Sequence, residues 1–139
     1  MADQHRGTCF CGAVEVSASG EPIDMGYCHC GSCRAYSGAP FVAFTIWPED
    51  RVEVTGHVGS YDKAGTSERV FCSRCGGHLL LRHPHLGLTD IRAGILPSVT
   101  FTPRSHLNYA ARVMPVRDGL PKFSDMPVEI GGSGELIVE

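Results

Sequence analysis

Seven cysteines are the residues of this sequence best suited to chemistry, and they fall into three groups along the chain. In chain order the groups are a C-x-C, a C-x-C-x-x-C and a C-x-x-C, formed by Cys9 and Cys11, by Cys28, Cys30 and Cys33, and by Cys72 and Cys75. Thiolates at such spacings are typical zinc ligands, because a C-x-x-C turn brings two sulfur atoms to one ion. The glycines that follow Cys11 and Cys75 permit the positive-φ turns that this requires. The sequence therefore predicts metal binding through sulfur.

The cysteines divide into a set of four and a set of three. The middle group, Cys28, Cys30 and Cys33, is close enough along the chain to form a cup of three thiolates alone. The remaining four, Cys9, Cys11, Cys72 and Cys75, then form a closed set that joins two distant segments. Four protein ligands are typical of structural zinc, whereas three with an open position are typical of catalytic zinc. We therefore expect two zinc ions per chain, one structural and one catalytic.

Spacing alone leaves three other arrangements open. Cys9 and Cys11 could join two of the middle cysteines, which leaves Cys72 and Cys75 with one other ligand. Disulfides are a second arrangement, although an odd number of cysteines cannot all pair. An iron–sulfur cluster is a third, since thiolates also hold such clusters.

Several residues near the middle group could assist it. His29 is either a general base or hydrogen-bond donor to the site or, as we expect, a solvent-facing residue on the far side of its strand. Arg34 either pairs with a carboxylate of a thiol substrate or makes a structural bond to a nearby carbonyl. Tyr36 and Phe41 are expected to pack in the core rather than to line a pocket.

The other histidines carry weaker signals. Three follow the last cysteine pair and are expected on the surface rather than at a metal ion, and three show no local pattern. The two groups are His78, His83 and His85, and His5, His57 and His106.

Short β-strands must position the cysteines, because alternating, β-branched and aromatic segments fill the spaces between them. The predicted strands are 13–18, 41–47, 51–55, 69–71, 79–82, 89–93, 107–111 and 113–116. Only residues 32–37 are expected to form a helical turn. Since no long helical pattern separates the strands, antiparallel sheets are favoured over alternating βαβ units. The expected fold class is mainly β, with zinc-clasped loops and little helix.

The composition favours one globular domain over residues 1–139, with 42% hydrophobic residues. A Gly-rich spacer at 131–134 predicts that the C-terminal segment, from about residue 124, is flexible, although 135–139 could also form an edge strand. A formal net charge of −3 argues against a protein that binds nucleic acid through an excess of basic residues. No apolar run is long enough for a membrane span, and the absence of a signal-peptide pattern predicts a cytoplasmic protein with reduced thiols.

Three ordered blocks of the sequence resemble the glutathione-dependent formaldehyde-activating enzyme (GFA) family, whose domain also occurs in centromere protein V. Residues 7–14 match its G-x-C-x-C-G-x-V pattern, and residues 28–41 match C-H-C-x-x-C-R-x-x-x-G-x-x-F. Residues 71–79 match F-C-x-x-C-G-x-x-L, and a weaker similarity extends over 118–123. The blocks contain all seven cysteines in the family's order and separation.

The resemblance implies an Mss4-like fold of curled antiparallel sheets that hold zinc. It implies that the four outer cysteines bind the structural zinc and that Cys28, Cys30 and Cys33 bind the catalytic zinc. It also implies a carbon–sulfur lyase whose partners are glutathione or another small thiol and formaldehyde or another small aldehyde, as in S-(hydroxymethyl)glutathione synthase. Two alternatives are a zinc module that binds a thiol without turnover and a protein-interaction scaffold in which both zinc ions are structural.

Overall fold

The computed structural model of the chain describes residues 3–139, which contain ten β-strands, one α-helix and several 3₁₀ turns. The strands are β1 Gln4–Thr8, β2 Glu15–Ser19, β3 Asp24–Cys28, β4 Val42–Pro48, β5 Val52–Thr55, β6 Val58–Asp62, β7 Glu68–Cys72, β8 His78–His83, β9 Leu88–Arg92 and β10 Ser105–Leu107. The helix, α1, spans Gly31–Ser37. The expected mainly β fold with little helix is confirmed.

The described chain divides into two compact units, and the division falls within β4. Of the described residues, unit 1 comprises 3–24 and 45–101, and unit 2 comprises 25–44 and 102–139. Among residues 3–139 no helix is long and apolar enough to cross a membrane. The expectation of one domain with a flexible C-terminal segment stays a prediction.

Unit 1 contains two antiparallel arrangements of strands. In the first, β2 pairs with β1 and β5, with Gly7 opposite Val16 and Val16 opposite Val54. In the second, β6, β7, β8 and β9 pair in sequence order, with a bulge between Val70 and Phe71. Side chains from these strands, from β4 and from the segments between strands meet in one core, whose buried members are Cys9, Val14, Val16, Ala18, Trp47, Val70, Cys72, Leu79, Leu80, Ile91 and Leu96. Two of the metal-ligand candidates thus lie in this core, Cys9 directly after β1 and Cys72 at the end of β7.

Unit 2 is built on a parallel pair, with β3 beside β10 and Cys28 opposite Leu107. A Cβ at Gly26 would lie 2.6 Å from the Ser105 carbonyl oxygen, so the close approach of these strands requires glycine. The C-terminal segment hydrogen-bonds to this unit, from Ser124 N–H to Glu135 O (2.8 Å) and from Ile137 N–H to Lys122 O (2.8 Å).

Some predicted strands were wrong. Residues 107–111 form only the end of β10, followed by a 3₁₀ turn at Tyr109–Ala111, and residues 113–116 form no strand. Three strands, β1, β3 and β6, were not predicted, because each is only five residues long and a glycine and polar residues interrupt its apolar pattern. Residues 135–139 form no strand, and Leu136 makes only an isolated bridge to Phe123.

Candidate metal centres and their surroundings

Cys9 and Cys11 lie in the turn that follows β1. The turn is closed by the Gly12 N–H, which donates to the Cys9 carbonyl oxygen (3.1 Å). Gly12 has a φ of 83°, a conformation that glycine adopts without strain. On a regular strand the two side chains would point to opposite faces, so this turn is what allows both sulfur atoms to face one point.

Cys72 and Cys75 lie at the end of β7 and in the turn after it. Gly76 N–H donates to Cys72 O (2.8 Å), and Gly76 has a φ of 76°. The backbone N–H groups of Arg74 and Cys75 point to Cys72 Sγ at 3.3 and 3.4 Å. Such donors stabilise thiolates, as the C-x-x-C pattern predicts.

The four sulfur atoms converge, with all of them within 4.8 Å of one another. Cys11 Sγ is 3.7 Å from Cys9 Sγ and 3.8 Å from Cys72 Sγ. Four sulfur ligands about 2.3 Å from one ion, at the corners of a tetrahedron, would be about 3.8 Å apart. The set therefore fits a tetrahedral zinc ion.

The thiols of this set are unequal in acidity. Burial raises the pKa of Cys9, but the Val14 N–H and the neighbouring thiols outweigh it and lower the pKa to about 6. The pKa of Cys75 is lowered by the Gly77 N–H and by the Cys11 backbone. For Cys11 the Ala13 N–H lowers the pKa, but burial and the neighbouring thiols raise it to about 11. Coordination to a cation would favour the thiolate at all of these positions.

Cys28, Cys30 and Cys33 form a second converging set, with their sulfur atoms within 4.8 Å of one another. Cys28 ends β3, and Cys30 is the N-cap of α1, where its Sγ accepts from the Cys33 N–H (3.3 Å). The helix ends at Gly38, whose φ is 73° and whose N–H donates to Arg34 O. The division into four and three that the spacing favours is therefore the one that the fold brings together, and all seven cysteines are free of disulfides.

A side-chain amide completes the surroundings of Cys28. Asn108 Nδ2 donates to Cys28 Sγ at 3.5 Å from a backbone with a φ of 55°. The adjacent Cys30 and Cys33 thiols and burial raise the pKa of Cys28. A Cys28 thiol whose ionisation is opposed by its neighbours is chemically suited to a cation, which removes that opposition. The three-cysteine set therefore also fits a zinc ion, with three protein ligands rather than four.

His29 is buried, and the expectation that it faces solvent was wrong. Its side chain is 0% exposed, and its Nε2 lies 2.8 Å from His106 Nδ1. His106, which showed no sequence pattern, is also 0% exposed, and its Nε2 is 2.7 Å from Asp118 Oδ2. Asp118 Oδ1 in turn accepts from Lys122 Nζ at 2.7 Å. A chain of four polar side chains thus begins at the residue between two of the candidate ligands.

The ionisation of Asp118 determines the direction of its hydrogen bond with His106. Partial burial raises the pKa of Asp118, but bonds from Lys122 and His106 outweigh it and hold that pKa well below its usual range. The ionised Asp118 can only accept, so His106 donates to it from Nε2. Burial and the nearby His106 lower the pKa of His29 to about 4, which keeps it neutral at pH 7. His29 Nδ1 is buried without a hydrogen-bond partner among the described residues.

Neighbouring side chains hold the histidines in place. Arg34 Nε donates to the His29 carbonyl oxygen at 3.2 Å, which is the structural role considered for it. Phe41 stacks on His29, with ring centroids 4.9 Å apart, and its edge meets Tyr27. Phe41 thus packs against aromatic rings, but Phe41 and Tyr36 are both half-buried rather than in the buried core that we expected.

The histidines after the last cysteine pair are partly exposed. His78 and His83 are half-buried in β8, and His85 is exposed in the 3₁₀ turn that follows. His83 Nδ1 pairs with Ser67 Oγ at 2.8 Å. Within residues 3–139 none of the three belongs to a converging set of ligands.

The chain is similar in sequence to known proteins over most of its length. The family model described as glutathione-dependent formaldehyde-activating enzyme matches residues 4–111. An uncharacterized lyase of Schizosaccharomyces pombe is 34% identical over 73 residues, which is 52% of this chain and 53% of the relative. A putative glutathione-dependent formaldehyde-activating enzyme of Talaromyces marneffei is 29% identical over 94 residues, which is 61% of this chain and 50% of the relative. The match therefore spans about half the length of these curated relatives.

A solved structure shows that the fold is known. The crystal structure of a Rhodobacter sphaeroides protein superposes with a TM-score of 0.56 and 24% identity. The superposition covers 68% of this chain and 90% of that chain.

Proposed function

The chain belongs to the glutathione-dependent formaldehyde-activating enzyme family, and we propose that it forms or cleaves the adduct between formaldehyde and a small thiol such as glutathione. In the forward direction the S–H bond of the thiol breaks, a C–S bond forms to the aldehyde carbon, and the aldehyde oxygen gains the proton. The observation that carries the proposal is the convergence of Cys28, Cys30 and Cys33 without a fourth cysteine.

We place one zinc ion at each cysteine set. The outer set would hold its ion with four protein ligands, as structural sites do, and would join the turn after β1 to the turn after β7. At the three-cysteine set, bound zinc supplies an open coordination position that favours the thiolate form of an incoming thiol. The seven free thiols are consistent with action in a reducing compartment such as the cytoplasm.

The chain's own residues orient the three sulfur atoms. The Cys33 N–H donates to Cys30 Sγ, and the Asn108 amide donates to Cys28 Sγ. His29 is held at its carbonyl by Arg34 and at its ring by His106. Because His29 lies between Cys28 and Cys30, these bonds fix the backbone that carries both ligands. We therefore assign His29, His106 and Asn108 as positioning residues.

The test is the rate at which formaldehyde exchanges with glutathione, measured by exchange NMR on zinc-loaded protein. The intact protein should accelerate the exchange with turnover, and Cys30→Ser should not. Ser32→Ala, an exposed change in the same helix, is the matched control and should behave as the intact protein. Because Cys30→Ser could also affect folding, Asn108→Gly serves as a second variant, which should lower the rate while the chain stays folded.

Two outcomes would overturn the proposal. The exchange rate could be the same with and without protein, or the change could be no larger than stoichiometric binding of glutathione explains. The second result would favour a zinc module that binds a thiol without turnover. The first result, obtained with zinc bound and no interaction with the thiol, would favour a protein-interaction scaffold in which both zinc ions are structural.

A further inference from the structure

A third set of converging ligand atoms lies in unit 1 and contains no cysteine. Asp3 precedes β1 and Glu21 follows β2, and these two strands pair with Gln4 opposite Ser19. The Gly20 N–H donates to Asp3 O at 2.8 Å, so the two acidic residues are brought to the same open end of the strand pair. Asp3 and His5 are two residues apart, a separation that places side chains on the same face of an extended chain. One carboxylate oxygen from each acid and one His5 ring nitrogen lie within 4.8 Å of one another.

His5 provides a second, independent observation. It is 8% exposed, its Nδ1 is 2.7 Å from Ser98 Oγ, and its ring packs 5.8 Å from the ring of Trp47. Its Nε2 is buried and has no hydrogen-bond partner among the described residues. A buried polar nitrogen without a partner is costly, and a bound cation would give it one. When Nδ1 donates to Ser98, the lone pair of the neutral ring is on Nε2, which is the usual arrangement for a histidine that binds a metal.

We propose that Asp3, His5 and Glu21 form a third metal site, which takes a divalent transition-metal ion such as Mn²⁺ or Zn²⁺ through nitrogen and oxygen. Two carboxylates and a neutral imidazole carry a net charge of −2, which matches such an ion. Imidazole and carboxylate ligands accept harder ions than thiolates do, so this site differs chemically from the cysteine sets. Asp3 and Glu21 are exposed, which leaves the remaining coordination positions to water. The Arg51 guanidinium lies beside Gly20 and offsets part of the negative charge.

The test is binding of Mn²⁺ to the full chain as purified with its sulfur-held metal, without a histidine tag and after loosely held ions have been removed. Mn²⁺ competes poorly for thiolates, so it reports on nitrogen and oxygen sites. The EPR signal of free Mn²⁺ should show one saturable site per chain. Asp3→Asn and Glu21→Gln should each weaken binding by about 10-fold or more, and Ser98→Ala should weaken it by about 10-fold through the orientation of His5. Glu53→Gln, an exposed acid on β5, is the matched control and should leave binding unchanged.

Thermal unfolding supplies a second readout that does not depend on activity. Mn²⁺ should raise the midpoint of the intact protein and of Glu53→Gln, because an ion that binds only the folded chain stabilises it. It should raise the midpoint of Asp3→Asn and Glu21→Gln much less. The proposal is overturned if the intact protein binds no Mn²⁺ saturably. It is also overturned if the intact protein and the variants Asp3→Asn, Glu21→Gln and Glu53→Gln all bind Mn²⁺ equally. That result would mean an adventitious ion only, held by an acidic surface.

Discussion

The buried chain of side chains beside the three-cysteine set ends at Lys122, whose side chain is 7% exposed. Its Nζ donates to Asp118 and to the Leu120 carbonyl oxygen. Lys122→Met keeps the length of the side chain but removes both bonds, so we expect a loss of about 1 to 3 kcal/mol in the free energy of unfolding. Denaturant unfolding measures this loss. Lys63→Met, at an exposed position, is the matched control and should change stability little.

The same substitution should change how stability depends on pH. The pKa of Asp118 is lowered in the folded chain, so its contribution is complete above the unfolded value of about 3.9 and is lost as the pH falls through the folded value. Without Lys122, the pKa of Asp118 should rise towards its ordinary value. Carbon-13 NMR titration of the Asp118 carboxyl measures this directly. An unchanged titration in Lys122→Met would contradict the role given to this ion pair.

Asn108 has a left-handed backbone conformation, and its side-chain amide donates a hydrogen bond to Cys28 Sγ. Two substitutions distinguish the contributions of these two features. Asn108→Ala should lose the amide and also strain the backbone, at a cost of roughly 1 to 2 kcal/mol. Asn108→Gly keeps the backbone relaxed and loses only the amide. Both variants should release metal from the three-cysteine set more readily, by about 10-fold or more in affinity, whereas only Asn108→Ala should lose stability. Chelator competition and denaturant unfolding measure the two effects, and equal metal retention in all three proteins would contradict the positioning role.

The sequence predicted how the cysteines group, because the spacing within each group is local and the four outer cysteines remain once the middle three are assigned together. A C-x-x-C turn and the glycine after it can be recognised in the amino-acid sequence. In the fold the cysteines group as four and three. His29 was misjudged because the segment from Cys28 to Cys30 was treated as a strand, in which alternation would place the His29 side chain in solvent. It lies after the end of β3, where alternation no longer applies, and its partner His106 is 77 residues away. No local signal could have found a pair at that separation.

At the scale of elements, prediction succeeded where strands are apolar or alternate. The strand β4 and the antiparallel β7 to β9 lie close to their predicted positions. The strand predicted at 107–111 was wrong because Asn108 adopts a left-handed conformation and starts a 3₁₀ turn. The strand predicted at 113–116 was also wrong. The segment is apolar, but Val113 is 60% exposed and the segment does not pack into a sheet. An apolar segment forms a strand only where the fold provides a neighbouring strand for it to pair with.

The strand β1 requires glycine at one position. A Cβ at Gly7 would overlap the Ile95 carbonyl oxygen, and a backbone atom cannot move aside as a side chain can. We expect Gly7→Ala to destabilise unit 1 by about 1 to 3 kcal/mol or more. Because β1 leads directly to Cys9, the same change should weaken metal retention at the four-cysteine set. Denaturant unfolding and zinc release on addition of a chelator measure the two effects.

Gly94 provides the matched control for that substitution. A Cβ there would meet nothing within 4 Å, and its φ is not in the left-handed region. Gly94→Ala should therefore be neutral or stabilise the chain by about 0.4 to 1 kcal/mol, since it restricts the unfolded chain. Equal losses in both variants would show that the contact with Ile95 does not decide the effect.

At the scale of the whole molecule, each unit contains one cysteine set. The four-cysteine set joins the end of β1 to the end of β7, which are more than sixty residues apart in the sequence. Closure of so long a loop by metal restricts the unfolded chain strongly, and ion binding there adds directly to folding free energy. The three-cysteine set spans only residues 28–33 and restricts the chain far less. The two sets should therefore differ in what their metal does for stability.

Stepwise removal of metal tests this difference. A set with three protein ligands leaves a position open to a chelator, so we expect the three-cysteine set to lose its ion first. Hydrogen exchange should then accelerate for amides of β3 and α1, while amides of β7 and β8 stay protected until the second ion leaves. Cys72→Ser should reverse the order, with early exchange in β7 and β8 because the closed set is broken. Simultaneous loss of protection in both units of the intact protein, with both ions released together, would contradict separate structural and exchangeable sites.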